Sequence, residues 1–439
     1  MSPLSKARTC PRTPNDADAT TGAPEVIIRA RTVVTMDGPP VDDGAVAVSE
    51  NRIVDVGQFD GIKKRNADEI VDLGEQALLP GLINAHCHLD YTCLRGTIPP
   101  QKTFADWIRA INAEKAKLSP GDYLSSINEG FAEAKRFGTT TVANLTAFPD
   151  LVPEIHAPIR TWWFAELIDV RAPERASEIA DLAIESLKLA PNWGLAPHAL
   201  FTASKNLYER CEEIARGQNV LLTTHLAESR EEMEMFRDAS GPLYEFLKSI
   251  GRPMDDCGNG TPLELFLGAL GPPPPGTGSA VASGRALPQW IVAHLNELTQ
   301  SDFELLKKSS MQFHVVHSPR SHDYFKHSQF PFKRLHSLEF NICLGTDSLA
   351  SNENLSLFAE MREFQRSEPG ISPAEILKMA TVNPAMALHQ ENMIGRIRPR
   401  LRADLIAVPC SQGADLFGEI MEFDGSIDWM MVNGKMSAE

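Results

Sequence analysis

The 439-residue chain has no apolar run approaching the length of a membrane span, which excludes a membrane-spanning helix. It is also short of positive charge. Lys and Arg number 42 against 58 Asp and Glu, for a formal net charge of −16. That balance argues against nucleic acid or an anionic membrane as a partner. Cysteine is sparse: seven residues, scattered, odd in number and without CxxC spacing. Such usage indicates reduced thiols in a cytoplasmic protein rather than a disulfide framework. Cys211 shares a helical face with Leu207 and Ile214, where core packing accounts for it. The opening stretch "MSPLSKARTCPRTPNDADATTGAP" lacks periodicity, and it lacks the apolar segment of a secretory signal. Residues 1–24 therefore read as a disordered N-terminal extension. The remaining composition, 43% apolar overall, is that of a globular protein with a large core.

The two ends of the chain are β-rich. "VIIRARTVVTM" and "GAVAVSENRIVDVG" near the start are matched by "ADLIAVP" and "DWMMVNGKMS" near the end, the last with an Asn433-Gly434 hairpin signal. These predict a small β-sandwich assembled from both termini, over 25–80 and 390–439. The middle alternates strand-like and helix-like segments. Eight strand candidates follow in order: "LINAHCH", "TTTVANL", "TWWFAEL", "WGLAPHA", "VLLTTHL", "WIVAHL", "MQFHVVHS" and "NICLGTD". Helix starts are legible at Ser119-Pro120, Ser204 and the Ser372/Glu375 capping pattern, with Gly138 and Gly217 as stops for the first two. Alternating strands and helices imply a parallel sheet, and eight units predict an α/β fold of the (β/α)8 TIM-barrel type over 81–389. The Pro/Gly/Ser-rich stretch 271–288 interrupts the pattern and reads as a rim insertion.

Chemistry-bearing residues recur where these strands end. The first strand ends in His86 and His88, two residues apart, which places both rings on one side and Cys87 on the other. The fourth leads to His198, the fifth to His225 and Glu228, the sixth to His294, the seventh to His317 and the eighth to Asp347. One such histidine is ordinarily a satisfied core residue. The same ending on most strands of one barrel points to a site, because barrel active sites lie at the C-terminal strand ends. Closure sets the last strand beside the first, so Asp347 approaches His86 and His88, with His225 arriving from across the barrel. Three imidazoles and a carboxylate suit one divalent metal, Zn2+ first and Fe2+ as the alternative, with a position left for water. Glu228, three residues after His225, either reaches over that water or stabilises the first turn of a helix.

HxH after "LPGLINA", then "HLAE", "AH", "HSPRSH" and "GTD", together with "NPA" and "RADLIAV" near the end, resemble the amidohydrolase superfamily over roughly residues 25–435. Within it the motifs are similar to the mononuclear cytosine/adenosine deaminase branch. That branch includes the methylthioadenosine/adenosylhomocysteine deaminases and the triazine hydrolases. The resemblance implies that His86, His88, His225 and Asp347 bind the metal and that Glu228 shuttles a proton to a substrate ring nitrogen. It implies that His294 orients the attacking hydroxide. The third and fourth strands offer no lysine, which implies one metal where binuclear relatives hold two.

The implied reaction is hydrolytic release of ammonia from an amino-substituted heterocycle, with a 6-aminopurine nucleoside foremost. In adenosine-type relatives a histidine after the fourth strand contacts ribose, a role implied for His198. Trp107 in "TFADWI" is either the aromatic cover over the base or a core residue of its helix. "HSPRSHDYFKH" departs from the usual "HNP…SN" and looks like the aminodeoxyfutalosine deaminases, whose substrate has a remote carboxylate. Arg320 is then the candidate contact to that carboxylate, with a solvated surface role as the alternative. Guanine, cytosine, a pterin or a triazine remain alternative substrates. A cyclic-amide hydrolase such as an imidazolonepropionase is another reading, and a non-catalytic scaffold is the contrasting class. A small-molecule substrate is the expected partner, and homo-oligomers are common in the family.

Overall fold

A computed structural model describes residues 26–65, 69–270, 290–309, 312–411, 413 and 415–436. The expected 1–24 extension and the 271–288 insertion lie outside these. Among the described residues no helix is long and apolar enough to cross a membrane.

The strands before the barrel are β1 (Val26–Val33), β2 (Val41–Ser49), β3 (Arg52–Gln58), β4 (Glu69–Asp72) and β5 (Gln76–Pro80). The barrel strands are β6 (Leu82–His88), β7 (Thr139–Thr146), β8 (Arg160–Leu167), β9 (Trp193–Pro197), β10 (Leu221–Leu226), β11 (Trp290–His294), β12 (His314–His317), β13 (Ile342–Leu344) and β14 (Asp347–Ser348). The chain ends with β15 (Leu405–Pro409), β16 (Trp429–Val432) and β17 (Lys435–Met436). The terminal strands form one continuous sheet in the order β17-β16-β15-β5-β1-β2-β3, with β4 on β1. Ile28, Val46, Ile53, Leu78, Leu405 and Met431, from six of its strands, pack in one buried cluster. The β16–β17 hairpin turns at Asn433 and Gly434, both with positive φ (51° and 78°), as a type I′ turn requires.

The second sheet runs β13-β12-β11-β10-β9-β8-β7-β6-β14, parallel throughout. Strands β13 and β14 are one eighth strand bent at Gly345. Its first half pairs with β12, its second half with β6, and the barrel closes there. The backbone N–H groups of Gly345 and Thr346 donate to His317 O and His86 O, each at 3.0 Å. A side chain at Gly345 would place its Cβ 2.7 Å from His86 O, so only glycine fits this joint. Asn84 staples the same seam, its amide donating to Thr346 Oγ1 at 2.8 Å.

Alternation explains which strand residues look inward. Ile83, Ala143, Trp162, Phe164, Ala196, Ile291, Val316 and Cys343 share the interior cluster, while Leu82, Trp163, Leu222 and Val292 face the helices. The helices begin as their caps dictate: Ser119 and Ser372 form capping boxes with Asp122 and Glu375. The helix after Ser204 ends one residue later than its glycine suggests. It runs through Gly217 to Gln218 and closes on Asn219 in the left-handed conformation, which asparagine tolerates.

Candidate active site

Strict alternation from Ile83 and Ala85 would turn His86 and His88 toward the helices. The pairing of β6 with β7 slips between Asn84 and Cys87, and this bulge reverses the parity. His86 and His88 therefore face the barrel mouth, and Cys87 packs outward with Leu82 and Leu89. A second device redirects His294. Its backbone has φ of 73° and that of Leu295 54°, a left-handed pair held by Leu295 N–H donating to Leu226 O at 2.9 Å. Asp347 is also left-handed, with φ of 57°. Non-glycine residues in this region are strained, and such strain concentrates at functional sites.

These distortions converge five donors. His86, His88 and Asp347 present ligand atoms within 4.8 Å of one another, as do His86, His225 and His294. His88 Nε2 lies 3.3 Å from His225 Nε2. Asp347 Oδ1 lies 3.7 Å from His86 Nε2 and 3.8 Å from His88 Nε2. Their surroundings prepare them as ligands. His225 Nδ1–H donates to His198 O at 2.9 Å, leaving Nε2 its lone pair. Burial pushes His225 down to about 3 and His88 well below the usual imidazole range, so both stay neutral. The Asp347 carboxyl lies well below the usual range despite its burial, with the His86 side chain beside it the largest favourable influence. Ser321 Oγ–H and Ser348 N–H donate to its two oxygens at 2.7 and 2.8 Å. Both ring nitrogens of His86 are buried without a hydrogen-bond partner. Buried imidazoles with orphaned nitrogens around a carboxylate fit a divalent metal, and bonds of about 2.0–2.1 Å to zinc span donors at this spacing.

Glu228 stands beside this set. Its Oε2 is 3.7 Å from His294 Nε2, and its Oε1 is 4.0 Å from His327 Nε2. Burial, then Asp347 and Glu232, raise its carboxyl well above the usual range. Its peptide N–H donates to Glu232 Oε2 at 2.8 Å and its carbonyl accepts from Asn296 Nδ2 at 3.0 Å, which fixes the backbone that carries it.

A cavity of about 150 Å3 opens over these groups, lined among others by His88, Trp107, His198, His225, Glu228, His294 and Asp347. Trp107 comes from the helix Phe104–Lys115, whose first two N–H groups are tied to the Glu231 carboxylate at 2.6 and 3.1 Å. Its ring packs edge-on against Phe325 at 4.9 Å. His198 Nδ1 lies 2.7 Å from Thr202 Oγ1, whose hydroxyl donates to Ala199 O at 3.2 Å. The histidine is thus the donor to Thr202, and its Nε2 is left as an acceptor.

Arg320 is not brought to this cavity. Glu353 and Asn354, in the loop after the eighth strand, take its guanidinium at 2.7 and 2.8 Å. It lines a separate surface groove with Arg95, Arg362 and Arg366. His317, also singled out at a strand end, stacks on Phe330 at 4.0 Å as a core residue. Three residues absent from the sequence reading line or flank the cavity. Glu166 was detectable, because alternation through Trp162 and Phe164 points it inward at the end of β8. Its Oε2 lies 3.6 Å from His88 Nδ1. Lys115 and His327 have no comparable strand signal.

The model of the amidohydrolase family matches residues 77–436. A 5-methylthioadenosine/S-adenosylhomocysteine deaminase of Syntrophobacter fumaroxidans is 31% identical over 390 residues, 85% of this chain and 81% of the relative. The aminofutalosine deaminase of Helicobacter pylori, solved with methylthio-coformycin, superimposes with a TM-score of 0.82 at 19% identity, over 94% of this chain and 100% of that one. An adenosine deaminase of Xanthomonas campestris with bound zinc has a TM-score of 0.74 at 24% identity, over 94% and 93% of the two chains. The chain belongs to the amidohydrolase family. It is a hydrolase acting on carbon–nitrogen bonds, built on a TIM-type barrel.

Proposed function

We propose that the protein is a metal-dependent deaminase of 6-aminopurine nucleosides, replacing the exocyclic amine with oxygen and releasing ammonia. The observation that carries this reading is the buried Glu228 carboxyl, 3.7 Å from His294 Nε2 and lining one cavity beside the clustered donors His86, His88, His225 and Asp347. The names of the similar deaminases support the nucleoside class. His86, His88, His225 and Asp347 hold one divalent ion, zinc foremost and Fe2+ as the alternative. When bound, the ion supplies Lewis acidity that makes water nucleophilic near neutral pH.

The protein's own groups do the rest. Glu228 gives its proton to the ring nitrogen next to the attacked carbon, so that carbon becomes tetrahedral without accumulating negative charge. Asp347, anionic at neutral pH, accepts the proton that the attacking water loses. His294 orients that water through its unpartnered Nε2. A second proton transfer lets the amine leave as ammonia. His198 Nε2 accepts from a ribose hydroxyl, and Trp107 covers the base. The catalytic unit under this reading is the barrel, 81–389, and the terminal sheet, 25–80 and 390–439, is its companion.

Two measurements test the proposal together. Elemental analysis should give one divalent ion per chain, because the ends of β8 and β9 offer no lysine to bridge a second. An ammonia-release screen should favour adenine nucleosides over guanine, cytosine, pterins and triazines. Two ions per chain, or a free base as the best substrate, would overturn it.

A further inference from the structure

Among the described residues lining the cavity, Lys115 contributes the sole Lys or Arg side chain. The helix Phe104–Lys115 turns Trp107, Ile108, Ile111, Asn112 and Lys115 to that space. This spacing is one helical face, apolar along its first turns and ending in an amide and an ammonium. Lys115 Nζ lies 4.5 Å from the centre of the Tyr91 ring, which in turn stacks on His88 at 5.8 Å. The ammonium is therefore within reach of a ligand seated at the histidines. It enters no ion pair among the described residues, whereas its neighbour Lys117 pairs with Glu114 at 2.7 Å. The buried Asp90 lies near enough for the two charges to interact, but it forms no ion pair with Lys115. Asp90 Oδ2 accepts from Thr146 Oγ1 and Ala147 N at 3.0 and 2.9 Å. Ile168, which also lines the cavity, is 42% exposed, an apolar surface that an aliphatic or thioether chain would cover.

We propose that Lys115 is the specificity-determining residue for a substrate tail: an aliphatic 5′ substituent passes Ile168 and ends in a carboxylate that pairs with the Lys115 ammonium, with the Asn112 amide beside it. The assignment rests on the nucleoside reading above and transfers to Lys115 the role that the sequence suggested for Arg320. A half-buried ammonium that enters no ion pair among the described residues can form a charge-assisted hydrogen bond to a carboxylate tail, which an uncharged tail cannot supply. The selectivity lies in the tail alone, because purine and ribose are common to all the candidates.

The test compares S-adenosylhomocysteine with its methyl ester and with 5-methylthioadenosine, on the metal-loaded wild type, Lys115→Met, Lys115→Arg and Arg320→Ala. Lys115→Met keeps an apolar side chain over Tyr91 and deletes the charge. It should lower kcat/KM for the free acid by about 10- to 150-fold and hardly change the ester or the thioether. Lys115→Arg should retain most of the acid's rate, and Arg320→Ala should keep the wild-type acid-to-ester ratio. Equal losses on all three substrates would assign Lys115 to ribose or to the fold and overturn the proposal, while the nucleoside reading stands. No loss on any substrate would overturn it as well. A wild type that deaminates none of the three would bring down the nucleoside reading and this assignment together.

Discussion

Glu228→Gln is expected to keep its metal and lose about 10²–10⁴ of its turnover, the usual worth of a positioned acid–base group. Glutamine is nearly isosteric and fits between His294 and His327 without displacing either. It has no acidic proton for a ring nitrogen. Burial and the neighbouring Asp347 and Glu232 keep the native carboxyl protonated far above the pH at which an exposed glutamate ionises. The loss should therefore fall on kcat more than on KM, since the proton moves only as the ring nitrogen gains basicity. Metal content and melting temperature should match the wild type. Near-normal kcat at full metal content would reduce Glu228 to a buried carboxyl that shapes the start of the following helix.

His86→Ala is expected to lose metal and turnover together, leaving activity below detection. His86 belongs to both donor triads, so its removal cannot be offset by choosing the other one. Its ring nitrogens have no protein hydrogen bond to lose, and the barrel backbone around it is tied through its carbonyl rather than its side chain. The variant should consequently fold, with the far-ultraviolet spectrum of the wild type. Adding zinc should no longer raise its melting temperature, because a ligand stabilises only what it binds. Retention of one tightly held ion would shift the metal to the His225 and His294 side and demote His86 to a spectator.

Much of this architecture is legible in the sequence, and the reasons are local. Most barrel strands are short apolar runs that end in a side chain costly to bury without a purpose. Order and spacing alone therefore bring His86, His88, His225, Glu228, His294 and Asp347 to one mouth. What sequence does not reveal is how the side chains are aimed. The bulge after Asn84 and the left-handed turn at His294 both reverse the parity that alternation predicts, and neither involves a glycine or proline that would announce it. Arg320 illustrates the same limit for long side chains. It follows the end of the seventh barrel strand, but its guanidinium goes to Glu353 and Asn354, which lie more than thirty residues away. Lys115 escapes notice for the opposite reason, since only the packing of its helix over Tyr91 turns it toward the cavity.

The bent eighth strand has a consequence for how the molecule comes into being. Asn84 and Thr346, which staple the seam, are separated by 262 positions. During synthesis the chain emerges from its N-terminus. His86, His88 and His225 leave the ribosome long before Asp347 follows. Contacts of such separation form slowly, because a long loop must close before the seam rewards it. The proposed ion site is thus complete only at the end of translation or after it, once the last strand has zipped onto the first. A premature stop between residues 225 and 347 leaves these three imidazoles on an open sheet. Such a fragment is silent rather than weak, and its exposed strand edges invite aggregation before they could hold an ion.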